Sequence, residues 1–281
     1  MDALVRQKSS QVLMDQMVDV QTKDHMDHTF AGIMFDVRVR DLPFEYIEIS
    51  SIWIRGNLGP ITIWSTSGGF EGKHENCSQW QRHYSNIHMP SMLELQEMQL
   101  DVPIRFSQAE TKGIYIHAAE MGDEQIVYDN KRGDITYSDS YLDILPGIAH
   151  LADVPFSGEN QDIFYGWWGP PWRDRREFVG RLQYGIKWLR WNPEVHCHFP
   201  AIFREMIWTL LMSRHPRSRC SILYWLDHDQ LLYVINCVNW WENSQLLEQI
   251  ANPAGEQKRV NKRFGDKCRA IYRWFSKSLS S

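Results

Sequence analysis

The apolar residues of this chain change their spacing once, at Asn192-Pro193, and that change divides what the chain can become. Before it the period is two. Ile33, Phe35, Val37 and Val39 alternate with Met34, Asp36, Arg38 and Arg40, the signature of a half-buried strand. Ile47 and Ile49 repeat the pattern, and Ile52 and Ile54 continue it after an offset at Ser50-Ser51 that predicts a β-bulge. Asn57-Leu58-Gly59-Pro60 turns the chain into Ile61-Thr62-Ile63-Trp64. Further strands are expected over 100–106, 113–119, 125–128, 135–145, 162–168 and 176–186. Gly or Pro punctuates most of these segments. About nine short strands of this kind read as an antiparallel sandwich or jelly roll, with no βαβ alternation.

After Pro193 the period is 3.6. Phe199, Ile202, Phe203, Met206, Ile207, Leu210 and Leu211 mark one face of a helix stopped by His215-Pro216. A second helix is expected to begin near Asp227–Asp229, carrying Leu231, Leu232, Val234, Ile235 and Val238. A third is expected over 256–276, after the breaker Asn252-Pro253-Ala254-Gly255. The fold class that follows is α+β. Residues 1–28 form a mobile arm or loosely docked helix, 29–191 a β-sandwich, and 192–281 a helical region.

Composition bounds the setting. The net charge is −5, with 43% hydrophobic and 23% charged residues, an ordinary globular balance that supports a packed core. The five cysteines are odd in number, widely spaced and lack any CxxC, so reduced thiols in a cytoplasmic or nuclear setting are expected. Cys197, Cys220 and Cys237 lie among apolar helical residues and are read as small buried hydrophobes. The Asn76-Cys77-Ser78 sequon would matter only in a secreted protein. Neither a signal-peptide core nor a run of 18 apolar residues occurs, so no transmembrane segment is expected.

Thirteen tryptophans are an excess, since average usage gives roughly three or four in this length. The densest group is Trp167-Trp168-Gly169-Pro170-Pro171-Trp172. Aromatics on a sandwich rim can stack on a sugar ring or clasp a proline-rich peptide; they can equally plug the end of the sandwich. Arg173, Arg175 and Arg176 follow directly. Their guanidiniums could hold a phosphate or carboxylate, or pair with Asp174 and Glu177 as a solvated surface. Trp167, Trp168, Trp172, Arg173, Arg175 and Arg176 are therefore the ligand-binding candidates.

Enzymatic signatures are sparse. GxxxxGK[ST], GxGxxG and GxSxG are all absent, and Gly68-Gly69-Phe70-Glu71-Gly72 reads as a hairpin turn. His196-Cys197-His198 with Glu205 resembles the His-x-His pair of a cupin-type metal site if it lies on a strand. His74, His83 and His88 make a looser group near Cys77. Neither set has compact zinc spacing, so no metal and no cofactor are expected. Asp139 and Asp143 share a strand face at i and i+4, where a Ca²⁺ site or a glycosidase pair would need them. An enzyme on a jelly roll, either a glycosidase or a cupin-like metal-dependent oxygenase, is thus the alternative to a non-enzymatic binding or adaptor protein.

Residues 256–277 carry Lys258, Arg259, Lys262, Arg263, Lys267, Arg269, Arg273 and Lys277 against Glu256 and Asp266, a net +6 that leaves −11 for the remainder. Val260, Phe264, Cys268, Ile271 and Phe275 form an apolar stripe. Such a segment can pack on the acidic body, or engage an anionic membrane surface, a calmodulin-like protein or another acidic partner.

The stretches Phe30-Ala31-Gly32-Ile33-Met34-Phe35-Asp36-Val37, Ile61-Thr62-Ile63-Trp64-Ser65, Leu145-Pro146-Gly147-Ile148-Ala149-His150 and Arg176-Glu177-Phe178-Val179-Gly180-Arg181 resemble an uncharacterised group of microalgal proteins. The resemblance spans most of 30–240 and implies a β-sandwich joined to a helical tail, with no activity. Leu226-Asp227-His228-Asp229-Gln230-Leu231-Leu232-Tyr233-Val234-Ile235 is similar to the helix of F-box-like segments, with Asp227 where that pattern has Pro. The helical tail is expected to engage a protein partner.

Deleting 256–281 is expected to abolish co-sedimentation with anionic vesicles. In the full chain that binding should fall steeply between 50 and 500 mM salt, because exposed charges are screened beyond roughly 10 Å at 0.1 M. Salt-insensitive binding would rule out the basic face as its source.

Overall fold

The computed structural model describes residues 12–42, 44–120, 124–158, 170–213 and 222–237. In chain order the strands are β1 (Val12–Gln21), β2 (His28–Phe30), β3 (Gly32–Val39), β4 (Phe44–Gly56), β5 (Gly59–Ser67), β6 (Gln81–His88) and β7 (Ser91–Phe106). They continue with β8 (Thr111–Ala118), β9 (Ile126–Asn130), β10 (Tyr137–Ser138), β11 (Leu142–Ile144), β12 (Gly147–His150), β13 (Trp172–Phe178) and β14 (Arg181–Leu189). Two helices follow, α1 (Ala201–Ser213) and α2 (His228–Cys237). The chain divides into a β unit, 14–188, and a second unit built from 1–13 and 189–281.

The β unit is an antiparallel sandwich, as the period-two pattern predicts. One sheet has the order β1-β14-β4-β7. The other, of ten strands, runs β2-β9-β13-β12-β3-β8-β5-β6, with the β10–β11 hairpin attached to β3. On β3, Ile33, Phe35 and Val37 are fully buried, and Phe35 stacks on Phe178 at 4.5 Å. Ile47, Ile49, Ile52 and Ile54 of β4 are equally buried. The offset at Ser50-Ser51 is a bulge: Ile49 pairs with Tyr184 and Ser51 with Gln183, leaving Ser50 as the extra residue. Without that insertion the second half of β4 would turn its apolar residues to the wrong face.

Several local readings differ. Val12–Gln21 is a strand, where the spacing predicts an arm or a helix. It pairs with β14 at the edge of its sheet, and polar side chains reinforce the pairing: Gln16 Oε1 accepts from Trp188 Nε1 at 3.2 Å, and Asp19 Oδ1 accepts from Gln183 Nε2 at 3.1 Å. The segment 176–186, read as one strand, is two. The break at Gly180 is pinned by Thr22, whose hydroxyl accepts from Gly180 N at 2.9 Å while its own N–H donates to Gly180 O at 3.0 Å. The segment 135–145 is the β10–β11 hairpin, and β7 extends back to Ser91. The strands β2, β6 and β12 are too short or too polar on their outer face to show the period. The expected strand over 162–168 and the helix over 256–276 lie outside the described residues.

Arg55, 6% exposed, makes a two-pronged ion pair with Asp24, with Nε–Oδ2 at 2.8 Å and Nη2–Oδ1 at 2.7 Å. That hydrogen bonding holds the Asp24 carboxyl below its ordinary range, against a smaller opposing effect of burial.

In the second unit, α1 buries Phe203, Ile207 and Leu211, the 3.6-period face. Asn236 of α2 clasps the backbone of Trp191 from both sides, accepting from its N at 2.9 Å and donating to its O at 3.2 Å. Cys197 and Cys237 are exposed, contrary to their reading as core residues. No described helix is long and apolar enough to cross a membrane.

Gly56 is where β4 comes closest to the chain entering β9. A Cβ there would lie 1.9 Å from the carbonyl oxygen of Gln125, a backbone atom that cannot step aside. Gly56→Ala is expected to cost about 3 kcal/mol or more in urea denaturation. Gly133→Ala, whose nearest neighbour would be at 3.4 Å, should change stability by no more than about 0.5 kcal/mol. Equal effects would show that the Gly56 approach is soft.

Candidate functional site

The ten-stranded sheet is buried on both faces along its central strands β12, β3 and β8, and the chemistry lies on the outer one. Register places two rows of side chains there. Trp172, His150, Gly32, His117 and Thr62 are successive cross-strand neighbours. The next row is Asp174, Ile148, Met34, Tyr115 and Trp64. Met34, Tyr115, Ile148, Trp80 and Phe156 form a second core, with Trp64, Phe70 and Trp172 packed against it. Trp80 and Phe70 come from the connection after β5, and Phe156 from the segment after β12.

Gly32 makes the rows fit. A Cβ at Gly32 would stand 2.9 Å from Tyr115 Cε2 and 3.2 Å from His117 Cδ2. With no side chain there, the His117 and His150 rings approach to 5.6 Å. His150 Nε2 meets the carbonyl of Ser157 at 3.0 Å, and a carbonyl only accepts, so Nε2 carries the proton. His150 Nδ1 then accepts from the Tyr115 hydroxyl at 2.7 Å. By the same reasoning His117 Nε2–H donates to Ala152 O at 3.0 Å. The hydroxyl of Tyr115 also bonds to the backbone of Phe156. Three side chains of the sheet thus hold the segment 151–158 over it.

Burial, and for His150 the neighbouring His117, keeps both imidazoles neutral, with pKa values lowered to about 4 for His117 and about 3 for His150. Burial pushes the Tyr115 hydroxyl well up. The group is a set of neutral hydrogen-bonding partners near neutral pH.

Trp172 is half-buried at the margin of this layer. Its ring stacks on His150 at 3.8 Å and 13°, its Nε1–H donates to Glu75 Oε1 at 3.2 Å, and His74 meets it edge-on at 5.1 Å. The arginines that follow are placed elsewhere. Strand alternation puts Arg173 on the opposite face from Trp172. A bulge at Arg175, whose φ is 64°, brings Arg176 to that same opposite face, where both guanidiniums act on Tyr128. Arg173 Nη1 donates to Pro170 O at 2.6 Å, and Arg176 Nη1 to Arg175 O at 3.1 Å. Trp172 therefore does not share a face with Arg173 and Arg176. Trp167 and Trp168 lie outside the described residues, as do Lys258, Arg259, Lys262, Arg263, Lys267, Arg269 and Arg273.

Of the candidate enzyme groups, His196, Asp139 and Asp143 are occupied structurally. His196 sits in a 3-10 turn, not on a strand, and its Nδ1 accepts from Trp191 Nε1 at 2.9 Å. Asp139 caps the β10–β11 turn, accepting from Tyr141 N, Leu142 N and the Tyr184 hydroxyl, each at 2.7–2.8 Å. Asp143 is paired with Arg38 and Arg40. His74, His83 and His88 are dispersed. His83 Nδ1 donates to Val102 O at 2.7 Å, so its Nε2 accepts from the Ser65 hydroxyl at 2.8 Å. This has the geometry of a nucleophile and base, but Ser65 and His83 are 5% and 4% exposed, and Val102 belongs to the other sheet. The relay ties the two sheets together along their β6–β7 side. Among the described residues no group of three His, Cys, Asp or Glu could hold a metal ion.

Sequence reasoning missed His117, His150 and Tyr115. They stand in Gly-Ile-Tyr-Ile-His and Gly-Ile-Ala-His segments with ordinary period-two spacing, and only the register across β12, β3 and β8 brings them together.

No family model matches the chain, and no curated protein does. Among solved structures, a chain from the structure of the infectious bursal disease virus Gx strain is similar at 10% identity, over 75% of this chain and 50% of that one. The chain thus spans about half the length of that neighbour. At a TM-score of 0.23 the likeness carries no argument.

A histidine held neutral by the fold adds stability in full above its unfolded value near 6.5 and loses it as pH falls toward the folded value. His117, His150 and His196 behave so, and His83 in the same direction. Asp24, with a lowered pKa, loses its contribution only below about 3.8. Urea denaturation is expected to show stability falling between pH 6.5 and 4.5. In His117→Gln the pH-dependent loss should be smaller, by up to about 3 kcal/mol over the whole window. An unchanged slope would mean that His117 is already charged or solvated in the fold.

Proposed function

We propose that this is a non-catalytic binding or adaptor protein whose ligand rests on the outer-face rim at Trp172. The observation that carries the reading is the state of that indole. One face is fixed against His150, and the ring N–H is oriented by Glu75 at a half-exposed edge. A rigid aromatic platform beside a carboxylate and an imidazole suits a ligand with one apolar face and polar edges, which describes a sugar ring. The neutral histidines behind it support binding over catalysis. In the same proposal the helical region and the basic 256–277 segment engage an acidic protein partner or anionic surface, in a cytoplasmic or nuclear setting.

The test is a titration of the full chain with a panel of monosaccharides, disaccharides and a proline-rich peptide, followed by tryptophan fluorescence and calorimetry. Saccharide binding weakened at least tenfold in Trp172→Ala, with an unchanged melt, is the expected result. Peptide binding without saccharide binding would transfer the rim to a peptide ligand. Binding of neither would overturn the proposal.

A further inference from the structure

Residues 151–158 cover the outer face without joining its sheet. Among the described residues their backbone-to-backbone bonds are Leu151 N to Pro171 O at 2.9 Å and, within the segment, Ser157 N to Val154 O at 3.3 Å. The other fastenings are side chains rising from the strands. His117 Nε2–H donates to Ala152 O at 3.0 Å, His150 Nε2–H donates to Ser157 O at 3.0 Å, and the Tyr115 hydroxyl bonds to the backbone of Phe156. The Phe156 ring lies among Trp64, Trp80 and Tyr115 at centroid distances of 4.9–5.6 Å. Its backbone is held at φ 64°, the left-handed region that a bulky residue enters only under constraint. The fastenings therefore act against backbone strain, and letting the segment go relieves it.

Charging either histidine in place is costly. The added proton goes to Nδ1, since Nε2 already carries one. At His117 that atom is buried and has no partner to accept from it. At His150 it faces the Tyr115 hydroxyl, which donates to it at 2.7 Å. Two imidazolium rings 5.6 Å apart would also repel each other with little solvent to screen them. The surrounding groups offer little relief. The segment supplies Asp153, whose charge favours protonated His117, and the connection after β5 supplies His74, which opposes protonated His150. Tyr115 of β8, Gly32 of β3, Thr62 of β5 and Trp172 of β13 are uncharged neighbours. Burial prevails, which is why the pKa values fall to about 4 for His117 and about 3 for His150. Lifting the segment admits water to both rings and returns them toward the ordinary value near 6.5.

We propose that residues 151–158 are an acid-released strap: uptake of one proton by each of His117 and His150 unfastens the segment and uncovers the aromatic layer of Trp64, Trp80 and Tyr115. The device is independent of what the rim binds. The titrating rings are themselves the fastenings, while the strands beneath keep their ladder bonds, so the strap opens before the sandwich unfolds. The sign follows from linkage. The closed form binds fewer protons, so it is favoured above pH 6.5 and loses ground as pH falls. With two sites, opening rises about 50-fold from pH 6 to pH 5, and with one site about sevenfold.

The experiment is amide hydrogen exchange of the full chain from pH 8 to pH 5, with each rate corrected for the intrinsic pH dependence of exchange. A peptide spanning 151–158 is compared with one spanning β3. The variants are His117→Gln and His150→Gln, whose side-chain amide can still donate to the loop carbonyl but does not titrate. In the wild type the strap is expected to be at least tenfold less protected than β3 at every pH, and its opening to rise about 50-fold from pH 6 to pH 5. In either variant that rise should shrink to about sevenfold. Strap amides as protected as those of β3 would mean that the segment leaves only when the whole sandwich unfolds, and would overturn the proposal. So would strap opening that ignores pH, or a 50-fold rise retained in both variants. The wild-type comparison decides by itself if a variant fails to fold.

Discussion

A sheet buried on both faces is the constraint from which the rest of this structure follows. On β3, Ile33, Phe35 and Val37 face one side and Met34 the other, and all four have no exposure. A two-sheet sandwich covers only the inner side. The outer side of the ten-stranded sheet must be covered by something else, and the chain uses the long connections after β5 and β12. Beyond their first residues those connections form no strand among the described residues. They are fixed by rings and by side chains reaching up from the strands.

That requirement explains where the tryptophans go. Trp80, Trp64 and Trp172 belong to the outer layer, while Trp53, Trp188 and Trp191 are buried elsewhere. Large rings are an economical way for loops to remove sheet surface from water, at roughly 25 cal/mol per Å² of apolar area. It also explains the histidines. A loop carbonyl buried against a sheet needs a donor, and an imidazole can donate from one nitrogen while its other nitrogen accepts. His117 and His150 do this for Ala152 and Ser157. Their neutrality, imposed by burial, is what makes the arrangement stable near neutral pH and vulnerable to acid.

The same logic operates at the sandwich margins. His83 joins Ser65 of one sheet to Val102 of the other, and Thr22 receives the chain as it crosses between sheets at Gly180. Arg55 and Asp24 neutralise each other at a position where β4 is buried on both faces. Each is a polar group made tolerable by a partner distant in sequence, the usual condition for burying such groups. The seam therefore depends on pairs that form only when the sheets are assembled.

The antiparallel sandwich and a helical region after it were legible in the residues. They rest on local periodicity: alternation over 33–39 and 47–54, the slip at Ser50-Ser51, and the helical stripe from Phe199 to Leu211. Periodicity depends on burial alone, which neighbouring residues share, so it survives in the linear chain. The outer-face site did not. Tyr115, His117, His150 and Trp172 each look like unremarkable strand residues, and their meeting depends on the pairing of β13, β12, β3 and β8 and on the missing side chain at Gly32. The rim candidate Trp172 was visible because aromatics crowd there, but its separation from Arg173 and Arg176 follows from strand alternation and a one-residue bulge. Strand order and register are set by long-range pairing and packing, and no local pattern encodes them.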